Sequence, residues 1–365
     1  MPPGANRTEL APPTFAGSPF SRIVLLAGDL AGACGSAAAF IRTGRTVRVW
    51  FGPGVLFSAP ETVQAFSTNS RPLSPLRASR VVSQAAKALG SDPFSLFFKH
   101  VDPTARGPAG AEILAAHRAL STRAVFFAPA FPSAGFTVHN GVSEIHDFTG
   151  GRKKIRLAGL FPPTVWSRIA FIASPSHLQP ALESGKTILV CDSATQAELE
   201  ALARAAQQFS GLLHAGCAGL AHALAGLNPA AQPPALMPRA ERTLVIAGSL
   251  HPVTKLQLQA LDHDRFPGVR LMHHGIPVAA RVRIRFAFRS FAPQALVLAG
   301  GETALLALQA LDAHSVLLQG ELAPGVPWGL IQGGLAHGCV VVTKSRSAGA
   351  RTVFNEILSA VHGSA

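Results

Sequence analysis

The sequence predicts an α/β protein of two domains, each with a mainly parallel sheet covered by helices, and a ligand cleft between them. Short apolar runs that are typical of buried strands alternate with helical stretches through most of the chain. A proline-rich break at 228–241 divides this alternation into two parts. At 365 residues, of which 48% are hydrophobic and 14% are charged, the chain is long enough to bury two cores.

The first part of the chain carries the clearer alternation. Strands are expected at 22–28, 47–52, 95–102, 124–130 and 186–192, and helices at 32–44, 76–89, 109–120 and 195–209. The strands are continuous apolar runs, which favours a parallel sheet with helices on both faces. Residues 1–21 lack the apolar core of a signal peptide and are expected to form a flexible extension. We therefore place the first domain at 22–227.

The alternation restarts after 228–241, which we interpret as a linker because it holds four prolines in fourteen residues. Strands are expected at 243–249, 295–300 and 339–345, and helices at 253–261 and 302–311, within a second domain at 242–365. Gly300 and Gly301 lie between a strand and a helix, where backbone N–H groups can bind an anion. Packing alone also produces this dipeptide, so the pattern by itself leaves a phosphate role open.

The composition narrows the class of partner. The chain has 32 Lys and Arg against 19 Asp and Glu, a net charge of +13. The basic residues are scattered, and the tightest run, 152–154, is interpreted as a solvated loop, so we expect no nucleic-acid partner. Without a run of 18 apolar residues or a signal peptide, we expect no membrane span and a cytoplasmic location. The four cysteines lack ligand spacing, so no metal-ligating residue is predicted.

Charged side chains follow two of the predicted strands in the first domain. Asp29 comes after the first strand, where an α/β sheet presents catalytic or binding groups, although an aspartate there can equally cap a helix. Lys99, Asp102 and Arg106 lie around another strand end and could clamp the carboxylate of a hydroxy acid. An ordinary surface ion-pair cluster would have the same spacing. No P-loop and no G-x-G-x-x-G motif is present, so a nicotinamide dehydrogenase is only weakly supported.

Ten short motifs occur in the order seen in one known family. They are GDLAGA (28–33), SR (70–71), FFKHVDPTARGPAGAE (97–112), APAFPSAG (128–135), ILVCDSAT (188–195), HAGCAGLA (214–221), VIAGSLHPVT (245–254), LAGGETA (298–304), GELAPGVP (320–327) and VVTKS (341–345). In these motifs the chain resembles the four-carbon acid sugar kinase family over most of residues 22–360. Ten ordered motifs are far more specific than any one of them.

The resemblance implies a two-domain kinase that uses ATP and Mg²⁺ to phosphorylate a small sugar acid such as threonate, erythronate or 3-oxo-tetronate. It assigns the sugar acid to the first domain, at Asp29, Arg71, Lys99, Asp102 and Arg106. It assigns the nucleotide to the second domain, at Ser249, Gly300, Gly301, Glu302, Thr303, Lys344 and Ser345. Asp29 or Asp102 would be the catalytic base that orients the attacking hydroxyl. The sequence leaves a homodimer open.

The chain departs from the family pattern at both sites. In the first domain the departures are Gly28, Ala31, Pro103, Ala105 and Phe136, and in the second they are Arg346, Ser347 and Ala348. The chain is also shorter than its relatives around 145–170. Three functions therefore stay open: an active kinase with an altered substrate, which we favour; a catalytically impaired protein that binds a nucleotide or metabolite; and a nucleic-acid-binding protein suggested by charge alone.

Overall fold

The structure is a computed structural model that describes residues 20–51, 62–90, 95–146, 151–227, 229, 235–248, 251–273, 279–345 and 348–363. The α-helices of these residues are α1 (Leu30–Ala38), α2 (Pro75–Leu89), α3 (Ala109–Ala119), α4 (Leu178–Glu183), α5 (Gln196–Ala206), α6 (Ala218–Gly226), α7 (Pro252–Gln259), α8 (Ala280–Phe291), α9 (Gly301–Ala310) and α10 (Val353–His362). The strands are β1 (Arg22–Ala27), β2 (Val47–Phe51), β3 (Val63–Ser67), β4 (Ser95–His100), β5 (Ala124–Ala128), β6 (Phe136–His139), β7 (Val142–His146), β8 (Arg152–Arg156), β9 (Ile169–Ile172), β10 (Ile188–Cys191), β11 (Leu212–Gly216), β12 (Thr243–Ala247), β13 (Val269–His273), β14 (Ala295–Ala299), β15 (Ser315–Ala323), β16 (Val326–Gln332) and β17 (Val340–Lys344).

Most strands belong to one continuous 14-stranded sheet, in the order β13-β12-β14-β17-β16-β15-β2-β3-β1-β4-β11-β5-β10-β9. The last eight strands of this order, β2-β3-β1-β4-β11-β5-β10-β9, pair in parallel. They belong to residues 20–227, which we call the front half. β13, β12, β14 and β17 also pair in parallel and belong to residues 235–363, the rear half. β15 and β16 form an antiparallel hairpin between the two halves. A second sheet, β6-β7-β8, has three strands.

The predicted α/β class and the cleft between two halves are confirmed, but the two expected sheets are joined into one. The join is made by β15, which pairs antiparallel with β2 from Ser315 opposite Trp50 to Leu318 opposite Val47. The hairpin covers one edge of each parallel sheet, and an uncovered edge would leave its backbone groups without strand partners. The positions 228 and 230–234 of the predicted linker lie outside the described residues, and the predicted domain boundaries stay predictions.

The twist of the sheet explains how the two halves come to share a cleft. Because the three successive pairings β2–β15, β15–β16 and β16–β17 are antiparallel, the front and rear parallel strands would run in opposite directions in a flat sheet. Six strand-to-strand steps separate β14 from β1, and a twist of about 20–25° per step adds up to roughly 120–150°. This rotation turns the carboxyl end of β14 toward the carboxyl end of β1. Helices α1 and α9, which follow these two strands, pack against each other.

The buried side chains form layers on the two faces of the front sheet. One layer lies under α1 and includes Leu25 and Phe98, and the other lies under α2 and α3 and includes Leu26 and Phe97. Successive residues of a strand point to opposite faces, which is why neighbours in sequence enter different layers. No α-helix in the described part of the chain is both long and apolar enough to cross a membrane.

The predicted elements match the observed ones where the apolar pattern is strong, and one interpretation was wrong. The run 152–154, expected to be a solvated loop, lies in strand β8, whose basic side chains are exposed. Because the side chains of β8 are mostly basic and exposed, its sequence shows no apolar periodicity that would predict a strand. Its pairing with β7 is therefore visible only in the structure. The sequence pattern does not predict the strands β3, β6 to β9, β11, β13, β15 and β16.

Candidate active site

A cavity of about 600 Å³ lies between the two halves of the molecule. The front half lines it with the residues that follow β1, β3, β4, β5 and β11. The rear half lines it with the turn between β15 and β16, with Ser345 after β17, and with the 348–350 segment. Asp29, Arg71, Asp102 and Arg106, four of the predicted sugar-acid residues, all face this space. The structure thus brings together four of the five residues assigned to the sugar acid.

Asp29 lies at the point where the two halves meet. It caps helix α1, with Oδ1 accepting from the backbone N–H of Gly32 at 3.3 Å. Its Oδ2 is 2.7 Å from Nη1 of Arg71. A Cβ atom placed on Gly301, the first residue of α9, would overlap this same Oδ2. The side chain therefore caps a helix, as one of the two sequence interpretations expects, and also faces the cavity, while its catalytic or binding role stays a prediction.

Asp102 anchors a second charged cluster beside the first. Its carboxylate accepts from the backbone N–H of Thr104 at 2.9 Å, from the Thr104 hydroxyl at 2.6 Å, and from Nε of Arg106 at 2.9 Å. Nη2 of Arg106 also contacts Oδ2 of Asp102. Nη1 of Arg71 lies 3.6 Å from the same Oδ2 and so connects Asp102 to Asp29. β1 and β4 are neighbouring strands, which is why the two carboxylates end up side by side.

The two aspartates differ in the direction of their pKa shifts. Burial raises the pKa of Asp29, and the neighbouring Arg71 only partly opposes this. For Asp102 burial also acts upward, but the charge of Arg106 and the hydrogen bonds from Arg106 and Thr104 outweigh it and lower the pKa to about 2. Asp102 is thus the better-stabilised anion, while Asp29 binds a proton more readily.

The rear half contributes a glycine turn and a helix N-terminus. Gly300 has φ of 100°, a conformation that side-chain-bearing residues rarely adopt, and its N–H donates to the Lys344 carbonyl at 2.9 Å. Gly301 begins α9, and Glu302 follows with Oε1 at 3.8 Å from Nη2 of Arg71. Thr303 is buried in the first turn of the same helix. The predicted nucleotide turn therefore lies directly against the predicted sugar-acid residues.

The side chain of Lys344, which the resemblance assigns to the nucleotide, points into the protein and does not line the cavity. Its side chain is 1% exposed, and its Nζ donates to Oε1 of Gln257 at 2.8 Å and to the Ser345 carbonyl at 3.0 Å. Gln257 in turn donates to the carbonyls of residues 348, 349 and 350, at 3.1, 3.0 and 3.0 Å. Burial lowers the pKa of Lys344 to about 7. The lysine thereby holds the segment that lines the cavity.

Lys99, also assigned to the sugar acid, is likewise buried behind the cavity wall. Its Nζ is 2.7 Å from Oε2 of Glu112 and donates to the His100 carbonyl at 2.7 Å. The other oxygen of Glu112 accepts from the Ser70 hydroxyl at 2.6 Å, next to Arg71. Gly28 leaves room for this carboxylate, since a Cβ there would lie 3.1 Å from Oε1 of Glu112. The departure at Gly28 thus coincides with a buried ion pair that positions Arg71.

Sequence reasoning missed three residues of this region: His100, Glu112 and Gln257. His100 lines the cavity on the face of β4 opposite to that of Lys99, and its Nδ1 is 2.8 Å from the Ser36 hydroxyl of α1. Burial lowers its pKa to about 3. His100 and Glu112 both lie inside the motif at 97–112, and strand alternation from Lys99 would have placed His100 on the other face. Gln257 gives no comparable sequence signal.

Some predicted residues fall outside what the structure describes. Ser249, assigned to the nucleotide, and the departures Arg346 and Ser347 are among them. Of the other departures, Ala31, Pro103, Phe136 and Ala348 line the cavity, and Phe136 is buried there. Ala105 has φ of 53°, in the left-handed region.

The fold and the site define a two-domain α/β protein whose glycine turn at the start of α9 lies against a charged pocket, and comparison with known proteins identifies its family. Residues 23–165 match a sugar-binding N-terminal domain, and residues 278–354 match a nucleotide-binding C-terminal domain. The chain belongs to the four-carbon acid sugar kinase family.

Two curated relatives and one solved structure illustrate the similarity. A D-threonate kinase of Bordetella bronchiseptica is 28% identical over 405 residues, covering 94% of this chain and 98% of the relative. A D-erythronate kinase of Heliobacterium modesticaldum is 27% identical, covering 67% of this chain and 61% of the relative. A Haemophilus influenzae protein of family DUF1537 matches with a TM-score of 0.60 at 20% identity, covering 91% of this chain and 98% of that one. This last match supports the fold.

Proposed function

We propose that the protein is an ATP-dependent kinase that phosphorylates a hydroxyl of a small sugar acid, in the class of threonate and erythronate. The observation that carries this proposal is the contact between the halves at Asp29, whose Oδ2 bonds Arg71 and abuts Gly301. Phosphoryl transfer needs a nucleotide and an acceptor to meet in line at one charged point. The names of the relatives, D-threonate kinase and D-erythronate kinase, agree with this geometry.

In the proposed reaction the triphosphate binds at the Gly300-Gly301 turn and the N-terminus of α9. The acceptor hydroxyl lies between Asp29 and the γ-phosphate. Its oxygen attacks phosphorus, the bond from the γ-phosphorus to the bridging oxygen breaks, that electron pair leaves with ADP, and the hydroxyl proton passes to Asp29. Arg71 offsets charge on the transferring group, and Arg106, fixed by Asp102, binds the carboxylate of the acid.

The pKa shifts support Asp29 over Asp102 as the base. A base works best when its pKa approaches the working pH, and burial moves the pKa of Asp29 upward. Asp102 stays ionised with a pKa of about 2 and is suited to holding Arg106. Proton transfer is thus assigned to Asp29 and acid binding to Arg106 with Asp102, at two adjacent strand ends.

The donor set fits a nucleotide-bound Mg²⁺ better than a protein-held one. Among the described residues, no group of three His, Cys, Asp or Glu side chains is arranged to hold a metal ion. Mg²⁺ in kinases is commonly bound by one or two carboxylates together with substrate phosphates. Glu302, whose Oε1 lies 3.8 Å from Nη2 of Arg71, is the carboxylate that would serve, which leaves Asp29 free to accept the proton. When bound, the ion neutralises charge on the phosphates.

The alternative, a family member that binds ligands without turnover, is favoured by one observation. Lys99 and Lys344, both assigned to ligands by the resemblance, are held by protein groups in buried positions. Fewer cations would then face the phosphates, and losing one preorganised donor costs roughly 10²–10³ in rate.

The experiment is an ADP-release assay with Mg²⁺-ATP and D-threonate or D-erythronate, with Gly301→Val as the matched inactive control. The proposal expects acid-dependent ADP release that the variant loses. The alternative expects both acids to raise the melting temperature of the protein while no ADP forms. A cytoplasmic location and a homodimer stay predictions.

A further inference from the structure

The acceptor half of the cavity changes from charged to apolar along the sheet edge. β1, β4, β11 and β5 are consecutive strands, and their carboxyl ends follow one another along the wall. Asp29 and Asp102 follow the first two strands, with Arg71 and Arg106 beside them. Cys217 and Ala218 follow β11, and Phe131 follows β5. The far end of the wall is thus built from a different kind of residue than the end next to Gly301.

The apolar end is a cluster of its own, which we call the apolar wall: Phe131, Phe136, Cys217 and Ala218, all less than a tenth exposed. Ile145 belongs to the same cluster and packs behind it without lining the cavity. Together these residues give the cavity a hydrophobic floor beyond the carboxyl ends of β11 and β5. Apolar surface of this kind favours an apolar ligand group.

The backbone N–H groups of the two phenylalanines and the thiol of Cys217 are paired within the protein. The backbone N–H groups of Phe131 and Phe136 donate to each other's carbonyls at 2.8 and 3.1 Å. Sγ of Cys217 donates to the carbonyl of Pro129 at 3.2 Å. The ring of His222 stacks behind Phe131, with centroids 6.1 Å apart, and its Nε2 lies 3.1 Å from Glu321.

Two polar residues near the apolar wall, Ser133 and His146, face the cavity and are exposed to solvent. The buried His100 also lines the cavity, and its Nδ1 is 2.8 Å from the Ser36 hydroxyl. A hydroxyl group held against the apolar wall would therefore exchange its water hydrogen bonds for contacts with aromatic rings. Threonate and erythronate carry a hydroxyl on every carbon beyond the carboxylate, so with the carboxylate and the reacting hydroxyl at the charged end a further hydroxyl would lie toward the apolar wall.

We propose that the acceptor is a short hydroxy acid whose end remote from the carboxylate is apolar, a deoxy or alkyl-substituted acid, in place of a fully hydroxylated tetronate. This rests on the proposed kinase function and names its substrate class. The carboxylate binds at Arg106, the reacting hydroxyl lies at Asp29, and an alkyl group packs against the apolar wall. A hydrophobic pocket discriminates one methylene or one added hydroxyl by about 10- to 200-fold.

The experiment measures kcat/KM for phosphoryl transfer from Mg²⁺-ATP, and in parallel the calorimetric affinity, for three probes: D-threonate, its 4-deoxy counterpart 2,3-dihydroxybutanoate, and 2,3-dihydroxypentanoate. The proposal expects both deoxy acids to exceed threonate at least tenfold in either quantity. Threonate equal to or better than the deoxy acids, or no acid bound at all, overturns it. Turnover of threonate alone would overturn this inference and support the kinase. Selective binding of the deoxy acids without any turnover would support the ligand class named here and overturn the kinase function.

Two variants locate the effect at the apolar wall. Phe136→Asn places an amide on the wall and should shift the preference about tenfold toward threonate, whereas Phe136→Leu should keep it. Ile145→Thr makes a comparable polar change in the same cluster off the cavity surface and serves as the control, with the wild-type preference expected. An unchanged preference in a folded Phe136→Asn protein contradicts the proposal.

Discussion

The front and rear sides of the cleft differ in how they stabilise a buried charged side chain. On the front side Asp102 is surrounded by donors, with Arg106 and Thr104 bonded to its carboxylate, and its pKa falls to about 2. On the rear side Lys344 is held by the amide oxygen of Gln257 and the Ser345 carbonyl, and burial lowers its pKa to about 7. Asp102 therefore keeps its charge at all ordinary pH values, while Lys344 titrates near neutrality.

Asp29 stands between these two extremes. It shares Arg71 with Asp102, yet it is buried against Gly301, and its pKa rises. Two aspartates at neighbouring strand ends thus acquire different properties from their surroundings, one as a fixed anion and one as a proton acceptor. The end of a strand therefore places the carboxylate, whereas the groups around the carboxylate decide its chemistry.

The largest expected effect is that of Asp29→Asn. The amide cannot accept the hydroxyl proton, so kcat should fall by about 10³, within the usual range for a lost general base. ATP affinity, measured by calorimetry, should change little. In the wild type, kcat/KM should fall as the pH decreases through the Asp29 pKa, because the protonated form is inactive. Retention of more than a tenth of the wild-type kcat would remove Asp29 as the base.

Gly301→Ala should be next in size. The added Cβ overlaps Oδ2 of Asp29, and crowding of a buried site costs about 1–3 kcal/mol, so kcat/KM should fall by roughly 10². Gly159→Ala is the matched control, because a Cβ there meets nothing within 4 Å. Steady-state kinetics of both variants decide the point. Equal loss in the two would show that the position of Asp29 against α9 is unimportant.

Asp102→Asn should act on acid binding rather than on chemistry. Arg106 loses its ionic partner, and a charge-assisted hydrogen bond contributes about 1.5–3 kcal/mol, so KM for the acid should rise at least tenfold with kcat nearly kept. Because the pKa of Asp102 is lowered, its stabilisation is present above pH 3.8 and is lost as the pH falls toward 2. The difference in unfolding free energy between wild type and variant should shrink over that range. A fall in kcat with unchanged KM would reverse the roles of the two aspartates.

Lys344→Met should give the smallest effect on activity at neutral pH and a distinctive effect on stability. Burial lowers the pKa of Lys344 from 10.5 to about 7, so the cost of burying its ammonium is absent above pH 10.5, grows as the pH falls from 10.5, and is complete below about 7. The unfolding free energy of the wild type, relative to the variant, should rise by about 1.4 kcal/mol per pH unit between those values. Denaturant titrations at pH 7, 8 and 9 measure it. A pH-independent difference would mean that the ammonium is not desolvated.

Much of the front site could be predicted because it follows from position along parallel strands. Asp29 and Asp102 come directly after apolar runs, and parallel strands bring their carboxyl ends to one edge. Lys99 comes from the same pattern, but it precedes the strand end, and alternation turns it toward α3, where Glu112 meets it. The sequence spacing alone did not distinguish these two directions.

The joining of the two sheets could not be predicted in the same way. The hairpin β15–β16 pairs with β2, and these residues are more than 260 positions apart, so no local pattern reports the contact. The burial of Lys344 depends on Gln257, a residue 87 positions away, and on a loop whose carbonyls Gln257 binds. Long-range pairing of polar groups leaves no periodic trace in a single sequence.

The most direct test of the central claim is phosphorus NMR of the wild-type protein with Mg²⁺-ATP and a mixture of threonate and its 4-deoxy counterpart. The account predicts a new phosphomonoester signal that grows as ADP appears and that is absent with Asp29→Asn. Release of inorganic phosphate without any ester, or an ester formed equally fast by Asp29→Asn, would contradict it.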